Sequence, residues 1–251
     1  MDNPQRTPRS LKARLSAGEQ LLGALVRMPA EDNLEMLGVA GFDFVIVDCE
    51  HGPADVVALR HHITIADLYG MGVLVRIGGG ESALALRALD QGAEGIVAPH
   101  VDSAEDAAEL VRSVHYPPLG ERGFATYPRA GRFGTVVPED HLRRAAESTL
   151  VIAMLESPAA VAATSAILRT PGVDGYLIGA ADLGASSTDT DPSVAEAIQS
   201  IRADADGTGT LRCDLVPSLA AARASLADGA QLVAYNVAHV LMTHFTELRV
   251  D

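Results

Sequence analysis

The sequence has 251 residues, the length of one α/β domain, and its composition excludes several classes of protein. The net charge is -14, and binding to nucleic acid needs a cationic face that this chain lacks. Residues 1–18 are polar and do not form a secretory signal, and no run of ~18 apolar residues can span a membrane. We therefore expect a cytoplasmic protein with one domain over 1–251, with 1–18 as a polar N-terminal lead-in.

Short apolar runs alternate with longer amphipathic segments along the chain. We predict strands at residues 21–26, 44–47, 73–77, 95–99, 150–155, 175–178, 209–214 and 231–235. Helices are predicted between them, at residues 82–91, 103–114, 158–169, 192–204 and 217–228. Ser103 and Ser157 place a capping hydroxyl at two of these helix starts, and Pro158 stands in the first turn of one. Eight βα units in ~250 residues predict a (β/α)8 TIM barrel, which is an α/β fold. An open doubly wound sheet is the alternative, but no G-x-G-x-x-G motif follows the first strand.

Polar side chains follow most of the predicted strands, at the end where barrel enzymes carry their active sites. They are Asp48, Glu50, His51, Arg76, His100, Glu156, Asp182 and Asp214. Glu156 and Asp182 close adjacent strands, so their carboxylates can converge on one hard cation such as Mg²⁺ or Mn²⁺. Taken alone, Asp182 would be interpreted as a helix N-cap.

His51 and Arg76 are the candidates for proton transfer and anion binding. Two nearby acids, Asp48 and Glu50, can orient the His51 ring and raise its basicity, although a lone histidine is often structural. Arg76 ends an apolar strand, and an arginine in a barrel mouth usually binds an anion. Lys12 is the only lysine and precedes the first strand, so a Schiff-base aldolase is excluded and a metal would have to stabilise any enolate.

Two further segments have no assigned chemistry. Residues 78–80 are a glycine triplet, typical of a flexible loop. Residues 116–148 form the longest stretch without a predicted strand and carry five arginines, which indicates a functional loop or a subunit contact. Cys49 and Cys213 lie far apart in sequence and do not indicate a disulfide framework.

Taken together, the motifs resemble the HpcH/HpaI aldolases, the metal-dependent class II pyruvate aldolases. The matching segments are residues 44–53 (FVIVDCEHGP), 75–76 (VR), 88–101 (ALDQGAEGIVAPHV), 116–123 (YPPLGERG), 155–157 (LES) and 173–183 (VDGYLIGAADL). The resemblance implies reversible cleavage of a 4-hydroxy-2-keto acid to pyruvate and an aldehyde. It also implies a homo-oligomer, a hexamer built as a trimer of dimers, with Asp90 at a subunit contact.

The resemblance also assigns roles to single residues. Glu156 and Asp182 would bind Mg²⁺ or Mn²⁺, with Co²⁺ and Zn²⁺ as alternatives. Arg76 would hold the keto oxygen, His51 with Asp48 would move the proton of the hydroxyl, and the amides of Ala181 and Asp182 would bind the pyruvate carboxylate, as helix starts bind anions.

The chain also departs from the family pattern. Met154 stands in place of a frequent glutamine and Ala180 in place of a proline; residues 78–80 replace a segment that usually carries a tryptophan. These departures bear on substrate identity. They leave as alternatives a related lyase, decarboxylase or ligase acting on a CoA-thioester or an oxaloacetate-derived enolate, and a non-catalytic keto-acid-binding barrel.

Overall fold

The computed structural model describes residues 9–52 and 55–250, whose parallel strands close into a barrel in sequence order. The strands are β1 Leu21–Val26, β2 Phe44–Asp48, β3 Gly72–Arg76, β4 Gly95–Ala98, β5 Leu150–Leu155, β6 Gly175–Ile178, β7 Leu211–Val216 and β8 Leu232–Asn236. Each strand pairs with the next, and β8 pairs with β1. The predicted (β/α)8 barrel is confirmed, and the strand bounds differ from the prediction by two residues at most.

Helices cover the outside of the barrel. They are α1 Leu11–Ser16, α2 Glu31–Val39, α3 Val56–Leu68, α4 Ser82–Gln91, α5 Ala104–Val114, α6 Pro138–Ser148, α7 Pro158–Leu168, α8 Ala180–Ser186, α9 Val194–Ala205, α10 Leu219–Ala227 and α11 Val237–Glu247. The hydroxyls of Ser103 and Ser157 cap α5 and α7, as their sequences predict. No helix in the described ranges is long and apolar enough to cross a membrane.

Alternate residues of each strand face the inside of the barrel, where glycines make room for large neighbours. A Cβ at Gly23 would lie 2.5 Å from the ring of Phe44, and one at Gly72 would lie 2.4 Å from Leu11. Leu11 and Leu15 of α1 are buried against this bottom layer. Part of the predicted polar lead-in therefore packs onto the core, while its residues 1–8 lie outside the described ranges.

The long stretch between β4 and β5 is more ordered than the sequence indicated. After α5 it forms a 3₁₀ helix at Arg129–Gly134 and then α6, which begins with proline in its first turn. Arg122 of this stretch is buried, donates to Asp90 at 2.7 Å and lies 4.7 Å from the centre of the Tyr116 ring. This ion pair fixes Asp90, the expected interface acid, within its own chain.

Candidate active site

Asp48 lies fully buried at the end of β2 and is held by two arginines. Arg76 donates through Nε to Oδ1 at 2.9 Å and through Nη2 to Oδ2, and Arg27 donates through Nε to Oδ2 at 2.8 Å. The amides of Glu50 and His51 both donate to Oδ1 at 3.1 Å. Burial alone would raise the pKa of Asp48, but the hydrogen bond and charge of Arg76 lower it below its ordinary value. Asp48 is therefore a fixed anion that shapes the end of β2.

Of the two acids expected near His51, Glu50 is the one whose carboxylate lies close to its ring. Its Nε2 lies 3.9 Å from Glu50 Oε2, and more than half of the side chain is exposed at the mouth of the barrel. Asp48 binds the backbone amide of His51 and not its ring, which corrects the expectation that Asp48 orients the imidazole. Glu50 also pairs with Arg76 Nη1 at 3.3 Å, so this carboxylate links the histidine to the arginine.

Glu156 follows β5 as a buried carboxylate. Its Oε1 accepts the backbone amide of His100 at 2.8 Å, and the His100 Nδ1 lies 3.4 Å from the same oxygen. Burial raises the pKa of Glu156, the His100 amide works against this, and the charges of Asp182 and Glu50 raise it further. A carboxylate with these neighbours is stabilised in its ionised form by any cation that binds beside it.

Gly179, the residue between β6 and α8, makes space for the Glu156 carboxylate. A Cβ at Gly179 would lie 2.5 Å from Glu156 Oε2, so the close approach needs glycine. Gly179 is also the N-cap of α8, and its carbonyl accepts the amide of Leu183 at 2.9 Å. Asp182 is exposed in the first turn of this helix and is not its N-cap. The amides of Ala181 and Asp182 lie in the same turn, where a helix supplies no backbone acceptor.

These donors fit a hard divalent cation. In the described part of the chain, no hydrogen bond reaches Glu156 Oε2, and Asp182 is close enough to raise the pKa of Glu156. No group of three histidine, cysteine or acidic side chains surrounds one point among residues 9–52 and 55–250. The arrangement is therefore a pair of carboxylates, the set that Mg²⁺ occupies together with water and substrate.

Other residues named from the sequence lie away from this mouth. Asp214 points outward from β7, where it pairs with Arg212 at 3.3 Å and accepts the hydroxyl of Ser225. Lys12 binds Asp174 at 2.6 Å and the Thr149 carbonyl at 3.0 Å, at the opposite end of the barrel. The exclusion of a Schiff-base lysine therefore agrees with the structure.

Three residues gain importance that the sequence did not assign to them. Arg27 directly follows β1, a position that would have marked it by the same rule that selected Arg76. Glu50 was noted only as an acid near His51, and it bridges two charged groups. His100 has a left-handed backbone, with φ of 53°, which is rare for a residue with a side chain and is often retained at functional sites.

Comparison with known proteins gives consistent matches over most of the chain. Residues 26–244 match the family model for HpcH/HpaI aldolase/citrate lyase. The chain is 35% identical over 231 residues to 5-keto-4-deoxy-D-glucarate aldolase of Klebsiella pneumoniae, covering 90% of each. It is 34% identical over 247 residues to 2-keto-3-deoxy-L-rhamnonate aldolase of Salmonella gallinarum, covering 95% of this chain and 90% of that one.

Solved structures agree with these sequence matches. The HpcH/HpaI aldolase from Desulfitobacterium hafniense superposes with a TM-score of 0.86 at 31% identity, covering 95% of this chain and 94% of that one. The citrate synthase SbnG superposes with a TM-score of 0.84 at 28% identity, covering 95% of both chains. The likeness therefore extends over nearly the whole barrel, including the strands that carry the candidate site.

Proposed function

Since the chain belongs to the HpcH/HpaI aldolase/citrate lyase family and is a carbon–carbon lyase, we propose that it reversibly cleaves a 4-hydroxy-2-keto acid. The products would be pyruvate and an aldehyde. The observation that carries this proposal is the buried Glu156 carboxylate beside Asp182, in the same barrel mouth as Arg76 and the partly exposed His51. A keto acid bound there would contact residues that follow different strands, with its carboxylate end near α8 and its hydroxyl end near His51.

The residues act at defined atoms of the substrate. The amides of Ala181 and Asp182 would bind the carboxylate of the pyruvyl unit, which suits an anion at a helix start. Arg76 Nη1, shared with Glu50, would donate to the keto oxygen. A His51 ring nitrogen would accept the proton of the 4-hydroxyl as the bond between carbons 3 and 4 breaks. The electron pair of that bond stays with carbon 3, and protonation there gives pyruvate.

Glu156 and Asp182 would hold the cation, for which Mg²⁺ and Mn²⁺ are our candidates. A bound divalent ion would supply positive charge to the enolate oxygen. Glu50 and Asp48 keep Arg76 in place while charge develops, because both carboxylates contact its guanidinium.

The metal assignment is tested with Glu156→Gln. We expect this variant to lose Mn²⁺ binding in isothermal titration calorimetry and to lose turnover, because a neutral amide replaces the buried charged donor. Glu139→Gln, an exposed change in α6, is the matched control and should bind Mn²⁺ like the unmodified protein. Full activity of Glu156→Gln in metal-free buffer would overturn the proposal.

A second reaction deserves a direct assay because the citrate synthase SbnG superposes at a TM-score of 0.84. The same groups could serve a related lyase, decarboxylase or ligase that forms or uses an enolate of a keto acid such as oxaloacetate. Loss of oxaloacetate without pyruvate release from any 4-hydroxy-2-keto acid would favour this candidate.

We also propose a homo-oligomer, with a hexamer built as a trimer of dimers as the expected state, located in the cytoplasm. Support for self-association comes from α11, none of whose residues is fully buried within the chain. Met242, Phe245 and Leu248 near its end are each more than half exposed. Light scattering coupled to size-exclusion chromatography measures the state directly, and a monomer would contradict it.

A further inference from the structure

A cavity of about 170 Å³ lies at the bottom of the barrel, between the end of α4 and one face of α6. Glu94 and Thr149 line it and directly precede β4 and β5, so the cavity is at the opposite end of the barrel from the candidate active site. The proposed reaction does not use it. Two arginines from different parts of the chain also line it, Arg122 after α5 and Arg144 on α6.

Arg122 brings a buried positive charge to this cavity. Only 3% of its side chain is exposed, and its Nη2 donates to Asp90 at 2.7 Å. The face of its guanidinium packs on the Tyr116 ring. The Nε of Arg122 is buried and has no hydrogen-bond acceptor in the described part of the chain. A buried donor without an acceptor is rare in folded proteins and indicates a bound water, ion or ligand.

Arg144 adds a second guanidinium at the exposed side of the cavity. No carboxylate within residues 9–52 and 55–250 forms an ion pair with it. The neighbouring Arg143, by contrast, pairs with Asp140 at 2.6 Å and with Glu147 at 3.7 Å. Arg143 is therefore neutralised on the surface of α6, whereas Arg144 keeps its full charge beside the cavity.

The charges of both arginines reach the same histidine. Burial lowers the pKa of His141, and the charges of Arg122 and Arg144 lower it further. The acid in the cavity lining is Glu94, whose Oε2 accepts the Leu11 amide at 2.6 Å. Because burial raises the pKa of Glu94 to about 6, its negative charge is removed under mildly acidic conditions. The lining then has an excess of positive charge.

We propose that this cavity binds a phosphate group, with Arg122 Nε, the Arg144 guanidinium and the Thr149 hydroxyl as donors. The Thr149 hydroxyl makes no hydrogen bond with the described residues. Arginines are frequent partners of phosphate, whose oxygens accept from several donors at once. The opening beside Arg144 would leave the organic part of a phosphate monoester in solvent. Such a ligand links α6 to Arg122 and stabilises the fold without contacting the substrate.

The test is isothermal titration calorimetry of the full chain at pH 6, with inorganic phosphate and, separately, with glycerol 3-phosphate. We expect one phosphate to bind per chain. Arg144→Gln should weaken this binding by about 10- to 100-fold, the range for a hydrogen bond to a charged group. Arg143→Gln is the matched control on the same helix and should bind like the unmodified protein. Tighter binding of glycerol 3-phosphate would identify a monoester as the ligand, and tighter binding of inorganic phosphate would identify the free ion.

A second measurement follows the unfolding temperature. Phosphate should raise it in the unmodified protein and in Arg143→Gln, and much less in Arg144→Gln, because a ligand that binds the folded state stabilises it. Absence of phosphate binding by the unmodified protein would overturn the proposal. Equal affinity in Arg144→Gln and Arg143→Gln would also overturn it, because phosphate would then bind elsewhere, for example in the barrel mouth. Neither result depends on the proposed reaction.

Discussion

Glu94 lies at the bottom of the barrel, directly before β4, and makes the stability of the fold depend on pH. Its Oε2 accepts the backbone amide of Leu11 at 2.6 Å, and this contact fixes the start of α1 against the core. Burial raises the pKa of this carboxyl from 4.5 to about 6, with the Leu11 amide working against the rise. We predict that Glu94→Gln makes the protein more stable at neutral pH.

The magnitude follows from the two pKa values. A rise from 4.5 to about 6 corresponds to about 2 kcal/mol, at about 1.4 kcal/mol for each pH unit. The folded state binds the proton of Glu94 more tightly than the unfolded state does. The stabilisation of the fold by this proton is therefore fully present below pH 4.5. It is lost as the pH rises through 6. Glutamine keeps an oxygen for the Leu11 amide and carries no charge, so the gain appears above pH 6.

The assay is urea unfolding at pH 5 and pH 8, with Glu121→Gln, an exposed change, as the control. We expect Glu94→Gln to raise the free energy of unfolding by about 2 kcal/mol at pH 8 and by much less at pH 5. The control should change neither value. A loss of stability at pH 8 would refute the reasoning, because it would mean that the folded protein needs the ionised carboxylate.

Two further predictions concern the ends of the active site. Gly179→Ala should weaken Mn²⁺ binding measured by calorimetry at least tenfold, because the new Cβ would lie 2.5 Å from Glu156 Oε2. Gly184→Ala, where the nearest contact is 3.4 Å, is the control. Unchanged affinity in Gly179→Ala would contradict the assignment of Glu156 as a metal ligand. Asp48→Ala should lower the free energy of unfolding by about 3–5 kcal/mol in urea, because it leaves the buried Arg76 without its main partner. A change below about 1 kcal/mol would show that water replaces the carboxylate.

The fold could be predicted from the sequence because each strand is a short apolar run bounded by turn residues. The eight predicted strands appear in order, and capping by Ser103 and Ser157 is where local sequence indicates it. Packing of α1 could not be predicted in this way. Leu11 and Leu15 are two apolar residues in a polar segment, and only the space above Gly72 shows why they are buried.

For the active site, the sequence indicated which residues follow the strands but not how they pair. Asp48 and His51 are neighbours in sequence, which suggested a carboxylate that orients the ring. In three dimensions Asp48 pairs with Arg27, which directly follows β1, and with Arg76 at the end of β3, two positions far apart in sequence. Such pairings depend on the register between strands, and a single sequence gives no measure of it.

We propose that this barrel releases pyruvate by a metal-dependent carbon–carbon cleavage. The most direct measurement is pyruvate release from a panel of 4-hydroxy-2-keto acids, followed with lactate dehydrogenase, in EDTA and after Mg²⁺ or Mn²⁺ is restored. We predict release that disappears in EDTA and returns with the metal. Undiminished release in EDTA, or no release from any acid by protein that still binds metal and pyruvate, would contradict the claim.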